Sequence, residues 1–176
     1  EATVTLGRLT AGDAVKRGER VWRVHRTSRR VPIYLAAEGP RTLELAGRVA
    51  DGVVVGLGLT PDVIALSLAA IERGARAAGR SLADLDVWWF AKTNVADTRA
   101  AAIAPITMAL AASANHAFPF TLEGKGIPSG LRESIRGLQR EYDAHQHEIA
   151  GAHNAELTDR WGLTDFLVGR FAIAGT

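Results

Sequence analysis

Short apolar runs alternate with longer amphipathic segments along most of the chain, and the runs predict β-strands. Val53, Val54 and Val55 follow one another without a polar residue, a pattern typical of a parallel strand that is covered on both faces. Similar runs occupy three further stretches. Strands are therefore predicted at residues 31–37, 53–58, 87–95 and 169–174.

The segments between these runs have the spacing of helices. The clearest start is Thr60-Pro61-Asp62, which combines a hydroxyl cap, a proline at the first helical position and a carboxylate near the positive end of the dipole. Gly79 supplies a residue suited to ending that helix. Further helices are predicted at residues 41–50, from Asp97 or Thr98 to about 114, at 131–149 and at 155–167, with a loop at 118–130.

This βα alternation requires a parallel sheet with right-handed crossovers. Four such units are fewer than a whole (β/α)8 barrel, which takes about 250 residues, so the pattern allows either a small open sheet or half of a barrel. Residues 1–30, with apolar pieces at 4–6 and 21–24, are expected to form a hairpin or an irregular lead-in to a domain at residues 31–176.

Composition and charge exclude several classes of protein. The chain has 176 residues, of which 47% are hydrophobic, and no cysteine, so we expect a soluble, cytoplasmic protein without disulfides or thiolate metal sites. The absence of an apolar run of about 18 residues predicts no membrane span. The net charge of +2 and a basic cluster limited to Arg26, Arg29 and Arg30 are too little for a nucleic-acid groove. Neither end has the appearance of a natural terminus.

Three motifs carry a resemblance to a known family. They are PIYLAAEGPR at residues 32–41, LELAG at 43–47 and ADGVV at 50–54. Together they resemble the luciferase-like monooxygenase superfamily, in particular its branch of reductases that use the deazaflavin coenzyme F420. The resemblance implies that the chain is the C-terminal half, strands five to eight, of a (β/α)8 barrel. It also implies that the catalytic acid or base lies on the other half.

The expected site lies at the C-terminal ends of the strands, where barrels of this kind bind ligands. Glycines there let the backbone approach a ligand, and a helix start favours a phosphate. Tight turns alone would also explain these glycines. In the family the cofactor lies against the ends of the first two of these strands, which implies a cofactor-binding set of Ala37, Glu38, Gly39, Pro40, Gly56, Leu57 and Gly58. Some family members carry a lysine where Leu59-Thr60 stands here, so recognition of a phosphorylated substrate at that point is not expected.

The third predicted strand offers candidate substrate contacts. Alternation would place Lys92 and Asn94 on one face together with Trp88 and Phe90. A lysine near the open end of a strand could bind an anion, although one that only extends to the rim would look the same.

Other chemistries find little support in the sequence. His145, His147, Glu148 and His153 lack the i, i+4 histidine spacing of helical zinc sites, and no metal is expected. His116 could approach a substrate, although a surface role is the simpler reading. Neither a Gly-x-Ser-x-Gly elbow nor a Walker loop occurs.

The function we expect is hydride transfer between F420 and a small organic substrate. An FMN-dependent monooxygenase, a non-catalytic flavin-binding barrel subunit and a small doubly wound nucleotide-binding domain are the alternatives. A half-barrel would expose unpaired strand edges. We therefore expect it to need the N-terminal half and to aggregate or dimerise by itself, and the whole protein to be a homo-oligomer.

Overall fold

The computed structural model describes residues 1–24, 30–147, 149, 151 and 153–176. The N-terminal segment begins with helix α1 (Ala2–Thr10), followed by an antiparallel hairpin of β1 (Val15–Arg17) and β2 (Arg20–Trp22). The hairpin expected within residues 1–30 is therefore present, but the apolar piece at 4–6 is helical. Gly18, with φ of 61°, makes the turn between the two strands. Arg26 and Arg29 of the basic cluster lie outside the described residues.

A parallel three-stranded sheet forms the centre of the molecule. It consists of β3 (Tyr34–Ala37), β4 (Gly52–Val55) and β5 (Asp86–Trp89), in that order. Helices α2 (Pro40–Val49) and α3 (Pro61–Ala77) make the crossovers. The predicted strands and helices of this part are present, although β3 begins three residues later than the apolar run.

Helices α2 and α3 cross closely on one side of this sheet. A Cβ atom on Gly47 would lie 2.0 Å from the carbonyl oxygen of Ile71, and one on Gly74 would lie 1.8 Å from that of Glu44. No side chain fits at either position, so these glycines set the distance between the helices. Val53 and Val55 are fully buried beneath them.

The strand predicted at residues 87–95 is instead two strands. After β5 the chain leaves the central sheet, and β6 (Lys92–Val95) pairs in parallel with β7 (Ala172–Gly175) in a separate sheet. The alternation changes phase at this break. Trp88 and Phe90 are 59% and 54% exposed, whereas Lys92 and Asn94 are half-buried, so the four residues do not form one continuous face, although Phe90 and Lys92 still contact each other.

A group of helices fills the chain between these two strands. They are α4 (Arg99–Ile103), α5 (Thr107–Ala117), α6 (Arg132–Glu141), α7 (His153–Arg160) and α8 (Thr164–Phe171). A turn at Ala104–Ile106 interrupts the helix predicted to run to residue 114, because Pro105 cannot continue the hydrogen-bond ladder. The helix predicted at 131–149 ends at Glu141, and Gly162, with φ of 62°, divides the one predicted at 155–167. The last strand begins at Ala172 because α8 extends to Phe171.

The sheet face opposite the helices is apolar and open. In the central sheet Tyr34 and Trp88 project from this face, and Phe90 follows β5 with more than half of its side-chain surface exposed. In the second sheet Val95 and Ile173 are 79% and 64% exposed. Within the described part of the chain, no helix is long and apolar enough to cross a lipid bilayer.

Candidate functional site

The ends of β3 and β4 lie side by side at one edge of the central sheet. The backbone N–H of Gly56 donates to the carbonyl oxygen of Ala37 across 3.2 Å, which continues the ladder one residue beyond β4. Gly39 lies two residues after Ala37 and immediately precedes α2. The two glycine-bearing strand ends are thus neighbours, at the edge where parallel α/β proteins bind ligands.

A groove of about 870 Å³ opens beside the first of these ends. One wall consists of Ala36 and residues 38–42, and the other consists of His116 and residues of the 118–130 loop, among them Phe120 and Lys125. The groove is the size of a pocket for a cofactor or a drug-sized ligand. The loop predicted at residues 118–130 therefore forms one wall of the groove.

The start of α2 gives the groove a positive end. Gly39 is the N-cap in an extended conformation, no side chain caps the helix, and Pro40 occupies the first turn. The first N–H groups of this ten-residue helix are therefore available to an anion, and the dipole favours negative charge there. Arg41 lines the groove and adds an exposed positive charge.

Lys125 adds a second cation from the opposite wall. Its side chain is nearly buried, and Nζ donates to the carbonyl oxygens of Ala117 at 2.7 Å and Pro119 at 3.4 Å. A Cβ atom on Gly39 would lie 3.8 Å from Lys125 Cε, so the lysine stem passes close to the start of α2. Burial lowers the pKa of the Lys125 ammonium, and the nearby Glu38 opposes that shift.

A smaller cavity of about 230 Å³ lies behind the groove. Its wall includes Gly56 from the end of β4, Lys92 from the start of β6, Ser113 from α5, and Phe171 from α8. Glu38 and His116 line both spaces, so the groove and the cavity meet at these two side chains.

The carboxyl group of Glu38 lies against Gly56, at the end of the neighbouring strand. A Cβ atom on Gly56 would lie 2.6 Å from Oε1 of Glu38, so the carboxyl group occupies space that a side chain at position 56 would force it to leave. Burial raises the pKa of Glu38, against the opposing charges of His116 and Lys125. A carboxyl group that keeps its proton to higher pH beside an imidazole is suited to exchanging protons with a ligand.

Arg170 fastens the loop to the end of β4. Its fully buried guanidinium donates to the carbonyl oxygens of Leu57 at 2.8 Å, Gly126 at 3.0 Å and Lys125 at 2.5 Å. The guanidinium also lies 5.1 Å from the centre of the Phe118 ring. Burial lowers the pKa of Arg170 to about 10, which leaves it charged at neutral pH.

The structure brings together some of the predicted cofactor-binding residues and not others. Glu38, Gly39 and Pro40 line the groove, and Gly56 lines the smaller cavity. Ala37, Leu57 and Gly58 are buried and line neither space. Gly58, with φ of 129°, is packed against Arg170, where a Cβ atom would lie 2.6 Å from Cγ.

Of the two predicted substrate residues, one borders open space and the other does not. Lys92 lines the smaller cavity, with Nζ 4.3 Å from the centre of the Phe90 ring. Asn94 lines neither space and donates through Nδ2 to the carbonyl oxygen of Ala102 at 2.9 Å, which ties β6 to α4. Its position indicates a structural role.

Two of the histidines, His116 and His147, lie close together. His147 contacts the hydroxyl of Tyr142, and its ring lies 5.6 Å from that of His116 in an edge-on arrangement. In the part of the chain that the structure describes, no three His, Asp or Glu side chains come together to hold a metal ion. Glu148 lies outside the described residues.

Sequence reasoning missed Lys125, which lines the groove, and Arg170, which holds the loop that forms one of its walls. Arg170 stands in the otherwise apolar end of α8, and a lone arginine in such a segment is the signal that could have indicated a buried cation. Lys125 stands between two loop glycines and carries no comparable signal.

Comparison with known proteins identifies similar sequences and a similar fold. A family model described as luciferase-like monooxygenase matches residues 6–176. A 5,10-methylenetetrahydromethanopterin reductase of Methanolobus tindarius is 30% identical over 146 residues, which cover 83% of this chain and 41% of that protein. An F420-dependent glucose-6-phosphate dehydrogenase of Microbacterium testaceum is 33% identical over 93 residues, which cover 49% of this chain and 28% of that protein.

Among solved structures, the coenzyme F420-dependent tetrahydromethanopterin reductase from Methanopyrus kandleri has a similar fold. The TM-score is 0.58 at 24% sequence identity, over 99% of this chain and 48% of that one. The chain thus spans about half the length, or less, of the relatives that it matches.

Proposed function

The chain belongs to the luciferase-like monooxygenase family, and from this premise we propose that it forms part of an oxidoreductase that transfers a hydride between coenzyme F420 and a small organic substrate. The observation that carries the proposal is the groove of about 870 Å³ whose positive end is the uncapped start of α2. Relatives named as F420-dependent enzymes are similar to part of this chain, which supports the proposal.

The groove fits a coenzyme with a planar ring and an anionic tail. The N–H groups at the start of α2, Arg41 and Lys125 would hold the phosphate. Of the seven residues that the resemblance implied, Glu38, Gly39, Pro40 and Gly56 border open space and remain in the proposed site. When bound, F420 supplies a carbon centre that accepts or releases a hydride.

Glu38 and His116 would handle the proton that accompanies hydride transfer. They stand where the groove meets the smaller cavity, so a substrate in that cavity would lie between them and the coenzyme site. Loss of a hydride from an alcohol carbon, for example, requires that its hydroxyl proton pass to a base. A carboxylate oxygen of Glu38 could accept that proton, and the exposed His116 could pass it to solvent.

We further propose that residues 31–176 make up strands five to eight of a (β/α)8 barrel and that residues 1–30 lead into it. The open apolar face with Tyr34, Trp88, Val95 and Ile173 supports this arrangement, because the interior of such a barrel is filled by side chains from all its strands. The missing strands would cover that face, so the site needs a second half of the barrel.

Coenzyme binding by the full-length protein tests the proposal. Binding is measured by the quenching of coenzyme fluorescence. We expect F420 to bind with a micromolar dissociation constant and FMN to bind more weakly. Arg41→Gln should weaken F420 binding about fivefold and reduce its dependence on salt, because an ion pair with the phosphate is lost. Arg132→Gln, which removes an exposed arginine outside the groove, is the matched control.

Two results would contradict the proposal. If neither coenzyme bound at micromolar concentrations, the groove would not be a flavin or deazaflavin site. If FMN bound more tightly than F420, the flavin monooxygenase alternative would replace the proposed activity.

A further inference from the structure

Phe120 combines two unfavourable features at the rim of the groove. Its side chain is 99% exposed, and its backbone φ is 60°, in the left-handed region that bulky side chains rarely adopt. In the described part of the chain, it is the non-glycine residue with a positive φ. It also lines the groove, on the wall opposite the start of α2.

The surrounding chain fixes this conformation. Arg136 reaches from α6 and donates to the carbonyl oxygens of Phe118 at 3.4 Å and Phe120 at 3.2 Å. The N–H of Thr121 donates to the carbonyl oxygen of Pro119 at 2.7 Å. Phe118, two residues earlier, is fully buried in the core. The loop therefore holds the Phe120 ring outward.

Stability alone does not account for a phenylalanine at this position. Glycine or asparagine would adopt the same backbone at lower cost, and neither would expose an aromatic ring to water. Within this chain the ring makes no packing contribution that would offset these costs, since it is almost completely exposed. Strained residues of this kind concentrate at ligand sites.

We propose that Phe120 is the platform on which the planar ring system of the bound coenzyme stacks, an inference that rests on the proposed function. The phosphate is assigned to the start of α2, so the ring must lie elsewhere along the groove. Phe120 is the phenylalanine in its lining and offers a flat apolar face. Offset stacking of two aromatic systems is favourable beyond the area that it buries.

The stacking role predicts that affinity and stability change in opposite directions when Phe120 is replaced by glycine. Phe120→Gly relieves the backbone strain and removes no packing, so the Tm should rise by about 2–4 °C. The same change removes the platform, so the dissociation constant for F420 should increase about tenfold. A residue that only packed in the loop would lose stability on the same substitution.

Binding to the full-length protein is measured by fluorescence quenching with two probes. One is F420, and the other is its phosphate-free form, 7,8-didemethyl-8-hydroxy-5-deazariboflavin, which carries the same ring. Phe120→Ala and Phe120→Gly should each weaken both probes about tenfold, and Phe120→Trp should bind both about as well as the unchanged protein. Trp22→Ala, which removes a half-exposed aromatic ring on β2 outside the groove, should leave both affinities unchanged.

The outcomes separate the two proposals. If Phe120→Ala and Phe120→Gly bound each probe with the same affinity as the unchanged protein, the stacking role would be overturned. The proposed coenzyme site would not be affected by that result. A fall in Tm for Phe120→Gly would make Phe120 a packing residue and overturn it as well. If the unchanged protein bound neither probe, the proposed function and the inference that rests on it would fail together.

Discussion

Gly56 has no side chain, and that leaves the space in which the carboxyl group of Glu38 lies. At the scale of single residues, the site depends on such pairs. One residue lacks a side chain, and the functional group of the other occupies the space that is left. The glycines were readable from the sequence as strand-end positions. Their partners Arg170 and Lys125 come from segments more than sixty residues away in the sequence, and periodicity carries no information about that distance.

Replacement of Glu38 by glutamine should change how stability depends on pH. Because the folded state raises the pKa of Glu38, it binds more protons than the unfolded chain between about 4.3, the ordinary value, and the raised value. Stability contributed by this group is therefore present at low pH and decreases as pH rises through that window. Glu38→Gln should abolish this part of the decrease.

The measurement is the Tm of the two proteins as a function of pH. The groups around Glu38 are His116, His147, Lys92, Lys125, Arg41 and Glu123. They are unchanged in the variant, so the difference between the curves reports Glu38. Glu133→Gln, at a side chain 79% exposed, is the control. Parallel curves of Tm against pH for the unchanged protein and Glu38→Gln would show that burial does not raise the pKa of Glu38 in the folded protein.

At the scale of elements, local signals identified the strands and helices well where the chain is regular. The motifs at residues 32–54 predicted β3, α2 and β4 in order, and the comparisons confirm the family resemblance that they carry. The division of residues 87–95 into β5 and β6 could not be foreseen from that segment. It arises because β6 pairs with β7, which lies about eighty residues later.

The junction of α8 with the 118–130 loop should weaken strongly when Arg170 is replaced. Arg170→Met keeps the length of the side chain but leaves the carbonyl oxygens of Leu57, Lys125 and Gly126 without their donor. We expect the free energy of unfolding to fall by about 3 kcal/mol. Amide hydrogen exchange should accelerate in the loop more than in α3.

Arg170→Lys keeps the charge, but an ammonium group cannot reproduce the geometry of the three guanidinium hydrogen bonds. The free energy of unfolding should therefore fall by less than in Arg170→Met. Arg132→Met, at an exposed position, is the control for removal of an arginine. Unchanged exchange in the loop of Arg170→Met would show that other contacts hold the loop in place.

At the scale of the whole molecule, one side of the sheets is covered by helices and the other is an open apolar surface. An exposed apolar surface of this kind marks an interaction face. The proposed half-barrel accounts for it, and the same arrangement puts the groove at the rim of the completed barrel, where the ends of the strands meet. The sequence indicated the parallel alternation, but pattern alone could not separate an open sheet from part of a barrel.

Hydrogen exchange of the full-length protein with and without F420 locates the bound coenzyme and so tests whether the groove holds it. We expect slower exchange of the backbone amides at residues 39–43 and in the 118–130 loop, with little change in the β1–β2 hairpin. Binding of F420 with unchanged exchange at residues 39–43 and in the 118–130 loop would place the coenzyme elsewhere and overturn the proposed site.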